Sequence, residues 1–254
     1  MSNPDGNASG FLVEPPNPLR YTPLAIAYDP SEVIGAIREV VPSGSRVLDV
    51  GCGAGWTAKE LRDKIGCEVI GVEPNETRAE VARSNGIEVH VGYLEDLRIE
   101  DVGLFDIVLF GDVLEHLSDP HSVLCVAKKY LRPGGSVVIT VPNVAHWTVR
   151  LELLRGRFDY QALGIMDATH LRWFTEKTLR QLLENAGYRV DEWRVTCGNW
   201  MQEYAWKRPF RWMRESHQRR LVKRITRWFP RLFACQHVMR ASFQDTPDRP
   251  PPSR

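Results

Sequence analysis

The sequence predicts an α/β fold in which a parallel sheet carries helices on both faces. Three observations lead there. From Arg46 onward, short apolar runs alternate with segments that carry helix start and stop signals. The first apolar run leads straight into a glycine-rich turn, Gly51-Cys52-Gly53-Ala54-Gly55, and then into a helical segment. Gly66, Asn85-Gly86 and Pro133-Gly134-Gly135 punctuate the alternation at crossover spacing.

Residues 1–20 are rich in Pro, Gly and Asn and read as a disordered leader. A single domain is expected over 21–244, with a loose tail at 245–254. Asp29 suits an N-cap, Pro30 the first helical position and Glu32 the return bond of a capping box, so a helix should run from there to about Val41. Arg46–Val50 is strand one and Trp56–Ile65 a helix. Glu68–Val72 is strand two, followed by a helix capped by Asn75. Ile87–Val91 and Phe105–Phe110 are strands three and four. Asp119-Pro120 opens a helix, and Ser136–Val141 is strand five. An insertion over 143–174 starts with a helix at Ala145–Arg155 and then loses all periodicity. Thr175 caps a helix to Ala186, and Tyr188–Val195 is strand six. A basic helical insertion at 197–235 precedes a final strand, Gln236–Phe243.

The 254 residues are 43% hydrophobic and 26% charged, which excludes a fully disordered chain, a collagen and a coiled-coil rod. No run approaches the ~18 apolar residues of a membrane span. The start, MSNPDGNASG, has neither the basic flank nor the apolar core of a secretory signal. Five cysteines without a C-x-x-C pair argue against a disulfide framework or zinc site and for a reducing cytoplasm. The net charge of +1 conceals an asymmetry, because residues 207–240 hold eleven Lys/Arg against one acid, Glu215. Charge segregated this way marks an anionic partner.

Glycines after strand one let a ligand approach the backbone, since no Cβ intervenes. The turn is neither G-x-G-x-x-G nor a P-loop. Asp49 would repel a pyrophosphate and suits a cationic ligand. Glu73, at the end of strand two, can accept from both hydroxyls of a ribose. Together they ask for a nucleoside with a free ribose and a positive charge, and S-adenosylmethionine fits.

Four stretches carry a resemblance: VLDVGCGAG (47–55), VIGVEPN (69–75), FDIVLFGDVLEHLSDP (105–120) and LRPGGSVVITVPN (131–143). They resemble the class I S-adenosylmethionine-dependent methyltransferases. The resemblance implies a Rossmann-like, doubly wound, mostly parallel seven-stranded sheet whose last strand is antiparallel. It also implies that Asp49, Gly51 and Gly53, with Cys52 and Gly55 in the same turn, bind the methionine part of the cofactor. Glu73 would hold the ribose, Tyr93 and Leu94 would lie at the adenine, and Gly111 and Asp112 beside the sulfonium. Many relatives carry Asp or Asn where Tyr93 falls, so here a ring could stack on the adenine instead.

Thr169-His170-Leu171-Arg172-Trp173-Phe174 resembles the T-H-x-x-x-F stretch of the coenzyme Q O-methyltransferase group and of methyltransferases from surface-sugar gene clusters. His170 could then deprotonate an acceptor hydroxyl, as its unperturbed pKa is ~6.5, or it could simply fix its loop. Asp112-Val113-Leu114-Glu115-His116 resembles the E-x-x-E-H metal-binding stretch of the same group, in which two carboxylates and an imidazole could hold Mg²⁺. Asp112 is shorter than the Glu it replaces, and L-E-H also occurs in metal-free relatives. No metal is therefore assigned, and His116 stands beside His170 as a catalytic candidate. His146 falls on the cofactor side as well and is a further candidate, but an exposed helix position is the expectation. The 141–155 stretch also resembles the methyltransferase-like protein of methionine biosynthesis, which implies an alternative: a cofactor-binding partner without acceptor chemistry.

Residues 206–231 interleave ten Lys/Arg with Trp206, Phe210, Trp212, Trp228 and Phe229. Leu221, Val222, Ile225 and Trp228 approximate one helical face. An anionic membrane surface, an anionic acceptor or a lid on the sheet edge all fit this segment, whereas the whole-chain charge of +1 argues against nucleic acid. The expected activity is methyl transfer from S-adenosylmethionine to a small-molecule or lipid/sugar-linked acceptor, on oxygen. The expected location is cytoplasmic, with a peripheral position on the inner face of the membrane left open.

Overall fold

The computed structural model describes residues 29–198 and 214–243. The leader at 1–20, the tail at 245–254 and the first part of the basic segment, 199–213, lie outside the described residues.

Seven strands form one sheet: β1 (Arg46–Val50), β2 (Glu68–Glu73), β3 (Glu88–Val91), β4 (Phe105–Gly111), β5 (Leu131–Pro142), β6 (Tyr188–Thr196) and β7 (Gln236–Phe243). Their order is β3-β2-β1-β4-β5-β7-β6. β7 runs antiparallel to both β5 and β6, and the remaining neighbours are parallel. This is the sheet that the resemblance implied. The chain winds outward from β1 to β3 and then returns to place β4 on the other side of β1. The carboxyl ends of β1 and β4 therefore frame a topological switch point, where ligands of open α/β sheets bind.

Parallel strands covered on both faces read as continuous apolar runs, because successive side chains serve opposite layers. Val47, Ile107 and Leu109 pack with α1 (Val33–Val40), α2 (Trp56–Ile65) and α3 (Glu76–Ser84). Leu48, Val50, Val108 and Phe110 face the other layer. That layer holds α5 (Pro120–Ala127) and α7 (Glu176–Asn185), while the short α4 (Ile99–Val102) leads into β4.

Several boundaries differ from expectation. α1 starts at Val33, because Asp29 caps a separate turn: its Oδ1 accepts from the Ser31 N–H at 2.9 Å and its carbonyl from the Glu32 N–H at 3.0 Å. β5 starts at Leu131 and not Ser136, so Pro133-Gly134-Gly135 lies inside a strand. The register with β4 shifts there, and the proline is accommodated at the irregularity. α6 is Trp147–Leu154, and His146 before it is fully buried rather than exposed. Its Nδ1 meets the Thr148 hydroxyl at 2.8 Å and its Nε2 lies 3.8 Å from Cys235 Sγ, so it is a packing residue.

The described part of the basic insertion forms α8 (Glu215–Trp228) and α9 (Pro230–Phe233). Val222 is buried against Val149, Ile165, Met166, Cys197 and Cys235. Leu221 and Ile225 are partly covered, so the aliphatic face is turned toward the protein. Lys223 Nζ ties the helix to Asp29 Oδ2 at 2.6 Å. Trp228 and Phe229 stay exposed, at 64% and 58%.

Candidate active site

The turn after β1 is fastened to β2: the Gly51 and Cys52 N–H groups donate to Val72 O at 2.7 and 3.2 Å. A Cβ on Gly51 would sit 2.7 Å from Val113 Cγ2, and one on Gly55 2.9 Å from Ala82 Cβ. These two glycines serve close packing. Gly53 has φ +56° and nothing within 4 Å of a built Cβ, so its open side is the one that can receive a ligand. The Cys52 thiol is turned away onto Gly71, and burial holds it protonated. What Cys52 and Gly55 can offer a ligand is backbone.

Glu73 closes the turn from the end of β2. Its Oε2 accepts the Gly53 N–H at 2.8 Å and its Oε1 the Asn75 N–H at 3.0 Å. Each oxygen keeps a lone pair for a further donor. Asp49 is 3% exposed, and among the described residues its Oδ2 has no hydrogen-bond partner. Burial, reinforced by the charge of Glu73, raises its pKa from 3.8 to about 7. A cationic ligand would favour the ionised form.

This sets a pH dependence. Cofactor binding should lower the Asp49 pKa and release a proton, so affinity should fall as pH drops below about 7. The ligand-free protein should behave oppositely. Its folded pKa lies above the unfolded value, so this group's contribution to stability is lost as pH rises between the two. Calorimetry in buffers of different ionisation enthalpy reads the proton release. Affinity independent of pH across that range would remove Asp49 from the cation site.

After β3, Tyr93 is 64% exposed, with its N–H donating to Asp96 Oδ2 at 3.2 Å, and its ring is free to stack. Leu94 is 2% exposed and belongs to the core, with its carbonyl accepting from the Tyr130 hydroxyl at 3.1 Å. Its side chain is therefore closed to a ligand.

β4 ends at Gly111, beside which a Cβ would meet nothing within 4 Å. Asp112 follows with φ +55°, a strained conformation for a residue with a side chain. It is held there from two strands. Its N–H donates to Thr140 Oγ1 at 2.9 Å, and the Thr140 hydroxyl donates back to Oδ1 at 2.8 Å. Gln236 Nε2, from the start of β7, lies 2.9 Å from both carboxylate oxygens. Burial raises the Asp112 pKa. Nothing in the sequence pointed to Gln236, because a glutamine opening a strand carries no local signal.

A 3₁₀ turn, Leu114–His116, comes next. The Leu171 and Arg172 N–H groups donate to Glu115 O at 2.8 and 3.0 Å, which docks the 167–172 loop on this turn. His116 and His170 are thereby brought together, with ring centroids 4.9 Å apart at 70°. His170 Nδ1 is 3.1 Å from Ile165 O, and His116 Nδ1 is 3.2 Å from Thr169 O. A carbonyl only accepts, so each Nδ1 carries a hydrogen, and in the neutral ring Nε2 keeps its lone pair. Burial, with His116 adding to it, lowers the His170 pKa and favours its neutral ring.

The hard-ion set suggested by the resemblance, Asp112 with Glu115 and His116, is not gathered: among the described residues the ligand atoms that lie within 4.8 Å of one another belong to Glu115, His116 and His170, and the Asp112 carboxylate is turned onto Gln236 and Thr140. No step is derived through such an ion.

A family model described as a methyltransferase domain matches residues 26–192. The ubiquinone biosynthesis O-methyltransferase of Xanthomonas oryzae pv. oryzae (strain PXO99A) is 32% identical over 169 residues, which span 60% of this chain and 69% of that protein. The mitochondrial ubiquinone biosynthesis O-methyltransferase of Homo sapiens is 31% identical over 159 residues, spanning 58% of this chain and 42% of that protein. Among solved structures, an S-adenosylmethionine-dependent methyltransferase of Thermotoga maritima, described as a possible histamine N-methyltransferase, aligns with TM-score 0.56. It is 19% identical and the match covers 85% of this chain and 90% of that one, which speaks for the fold alone. The matched domain takes in the glycine turn, Glu73, Asp112 and the paired histidines: the chain belongs to the methyltransferase-domain family and is an S-adenosylmethionine-dependent methyltransferase.

Proposed function

We propose that this enzyme methylates a hydroxyl oxygen of a small-molecule acceptor bound beneath the 143–174 insertion. The observation that carries this reading is the pair of imidazoles, His116 and His170, whose rings stand 4.9 Å apart with each Nδ1 on a backbone carbonyl, at the carboxyl edge of the sheet next to Asp112. Such groups promote loss of a hydroxyl proton. The names of the Xanthomonas and human relatives point to oxygen as well.

On the cofactor side, Asp49, Gly51 and Gly53 receive the methionine part, Glu73 the ribose and Tyr93 the adenine ring. Cys52, Gly55 and Leu94 contribute backbone, and Gly111 and Asp112 flank the sulfonium. The acceptor oxygen attacks the methyl carbon in line, the carbon–sulfur bond breaks, and S-adenosylhomocysteine leaves neutral at sulfur. Holding the two reactants in line supplies about 7–11 kcal/mol of the barrier, so the protein needs few other catalytic groups.

An apolar acceptor fits the insertion. Phe158, Tyr160 and Trp173 form a cluster with centroids 5.5–6.3 Å apart, and Leu154 in the same insertion is 85% exposed. A lipid-linked acceptor drawn from an anionic membrane is supported by α8, whose outer side exposes Arg220, Arg224 and Arg227 beside Trp228. Methyl-labelled S-adenosylmethionine, offered with phenols, catechols and amines, tests the function: label should appear on oxygen. Label on nitrogen alone, or none at all while the cofactor binds, would overturn it. Presenting a prenylated phenol in anionic and in neutral vesicles tests the surface. Faster turnover in anionic vesicles supports attachment, and equal rates remove it.

A further inference from the structure

We propose that Gln236 is a positioning residue for the cofactor: by bridging both carboxylate oxygens of Asp112 it holds that carboxylate at the sulfonium side of the site, and so makes the site prefer S-adenosylmethionine over S-adenosylhomocysteine. The inference rests on the reading that places Asp112 beside the sulfonium. It gives a role to a residue 124 positions further along the chain.

Gln236 is buried at the start of β7. Its Nε2 lies 2.9 Å from each Asp112 oxygen, and the Thr140 hydroxyl donates to Oδ1 at 2.8 Å. A carboxylate only accepts, so the nitrogen end of the amide is the end that faces it. The other end, Oε1, accepts from the Thr196 hydroxyl at 3.4 Å. The backbone under this side chain is held from both neighbours, because Gln236 pairs with Pro142 of β5 and Thr196 of β6. Just before it, the Asn143 N–H donates to Cys235 O and Asn143 Nδ2 to Ala234 O, both at 2.8 Å. The amide is thus fixed where β5, β6 and β7 meet.

Asp112 needs such a support. Its φ of +55° is a conformation that a residue with a side chain keeps only where its surroundings impose it. Burial disfavours its charged form, and the Thr140 and Gln236 donors act against burial. Oδ1 takes donors from both residues, whereas Oδ2 meets only the shared amide among the described residues. Oδ2 is therefore the oxygen with room for a ligand. A carboxylate fixed in a dry site attracts a sulfonium strongly and a thioether hardly at all. Methyl transfer removes the positive charge from sulfur, so the carboxylate that holds the substrate form of the cofactor loosens its hold on the product.

The test titrates the full chain with S-adenosylmethionine, S-adenosylhomocysteine and sinefungin, in which a protonated amine replaces the sulfonium. Calorimetry reads each affinity for wild type, Gln236→Met, Asp112→Asn and the double variant. Gln236→Met should weaken S-adenosylmethionine and sinefungin at least about fivefold, the scale of one buried hydrogen bond, and leave S-adenosylhomocysteine within about twofold. Retained S-adenosylhomocysteine binding shows that the variant is folded. If methionine disturbs the strand, Gln236→Asn, whose donor is drawn back by one carbon, should show the same selective loss. The double variant should bind the charged ligands within about twofold of Asp112→Asn alone, because residues that act through one another are not additive. Equal weakening of every ligand by both Gln236 variants would make Gln236 a structural residue and overturn the proposal. So would losses that multiply in the double variant, or sinefungin behaving as S-adenosylhomocysteine does. Selective loss in Asp112→Asn beside unaffected Gln236 variants would sink the proposal and leave Asp112 at the sulfonium. No selective loss in Asp112→Asn would remove Asp112 from the sulfonium and the proposal with it.

Discussion

Replacing Glu73 with alanine is expected to weaken S-adenosylmethionine binding by about 1.5–3 kcal/mol, or roughly 10- to 150-fold. The side chain has two tasks. Its oxygens accept the Gly53 and Asn75 N–H groups at 2.8 and 3.0 Å, which holds the glycine turn against α3, and in the proposed site their remaining lone pairs accept from the ribose. Alanine removes both. Glu73→Gln should recover only part of the loss, because its amide nitrogen would face a backbone N–H, donor against donor. Calorimetry on the three proteins checks this. An alanine variant within twofold of wild type would show that the ribose is held elsewhere.

Replacing His170 with glutamine should lower kcat on the true acceptor by about 10²-fold or more, the scale of acid–base assistance. Cofactor affinity should stay within about twofold, since His170 lies on the 167–172 loop and not in the glycine turn. Glutamine can still donate to Ile165 O, which His170 meets at 3.1 Å, but it brings no basic lone pair. His170→Ala removes that bond as well and should also lower the melting temperature. Unchanged turnover in the glutamine variant would make His170 a loop-fixing residue.

The sheet was legible because its signals are local. Runs such as Phe105–Phe110 need neighbours on both faces, and their composition says so wherever those neighbours come from. Asp49, Gly53 and Glu73 stand out as candidates because each is an unusual residue type at the end of an apolar run or in the turn that follows it. What sequence could not show depends on distant partners. Pro133-Gly134-Gly135 reads as a stop, yet β4 pairs around it. His146 sits in a helical pattern, but the Cys235 thiol, 89 residues away, covers it. Asp112 looked available as a ligand until Gln236, 124 residues later, was found on its carboxylate. Glu115, His116 and His170 become one group only because a loop docks on the Glu115 carbonyl.

The latch from Glu73 to Gly53 also bears on how the cofactor arrives. A flexible glycine turn would surrender about 1–2 kcal/mol of backbone entropy for each residue ordered on binding. This turn is already fixed at Gly51, Cys52 and Gly53 by bonds within the protein. The ordering cost therefore falls on folding and not on recognition. In the proposed site S-adenosylmethionine would meet a surface shaped before it arrives, and its association should be limited by encounter rather than by rearrangement of the turn.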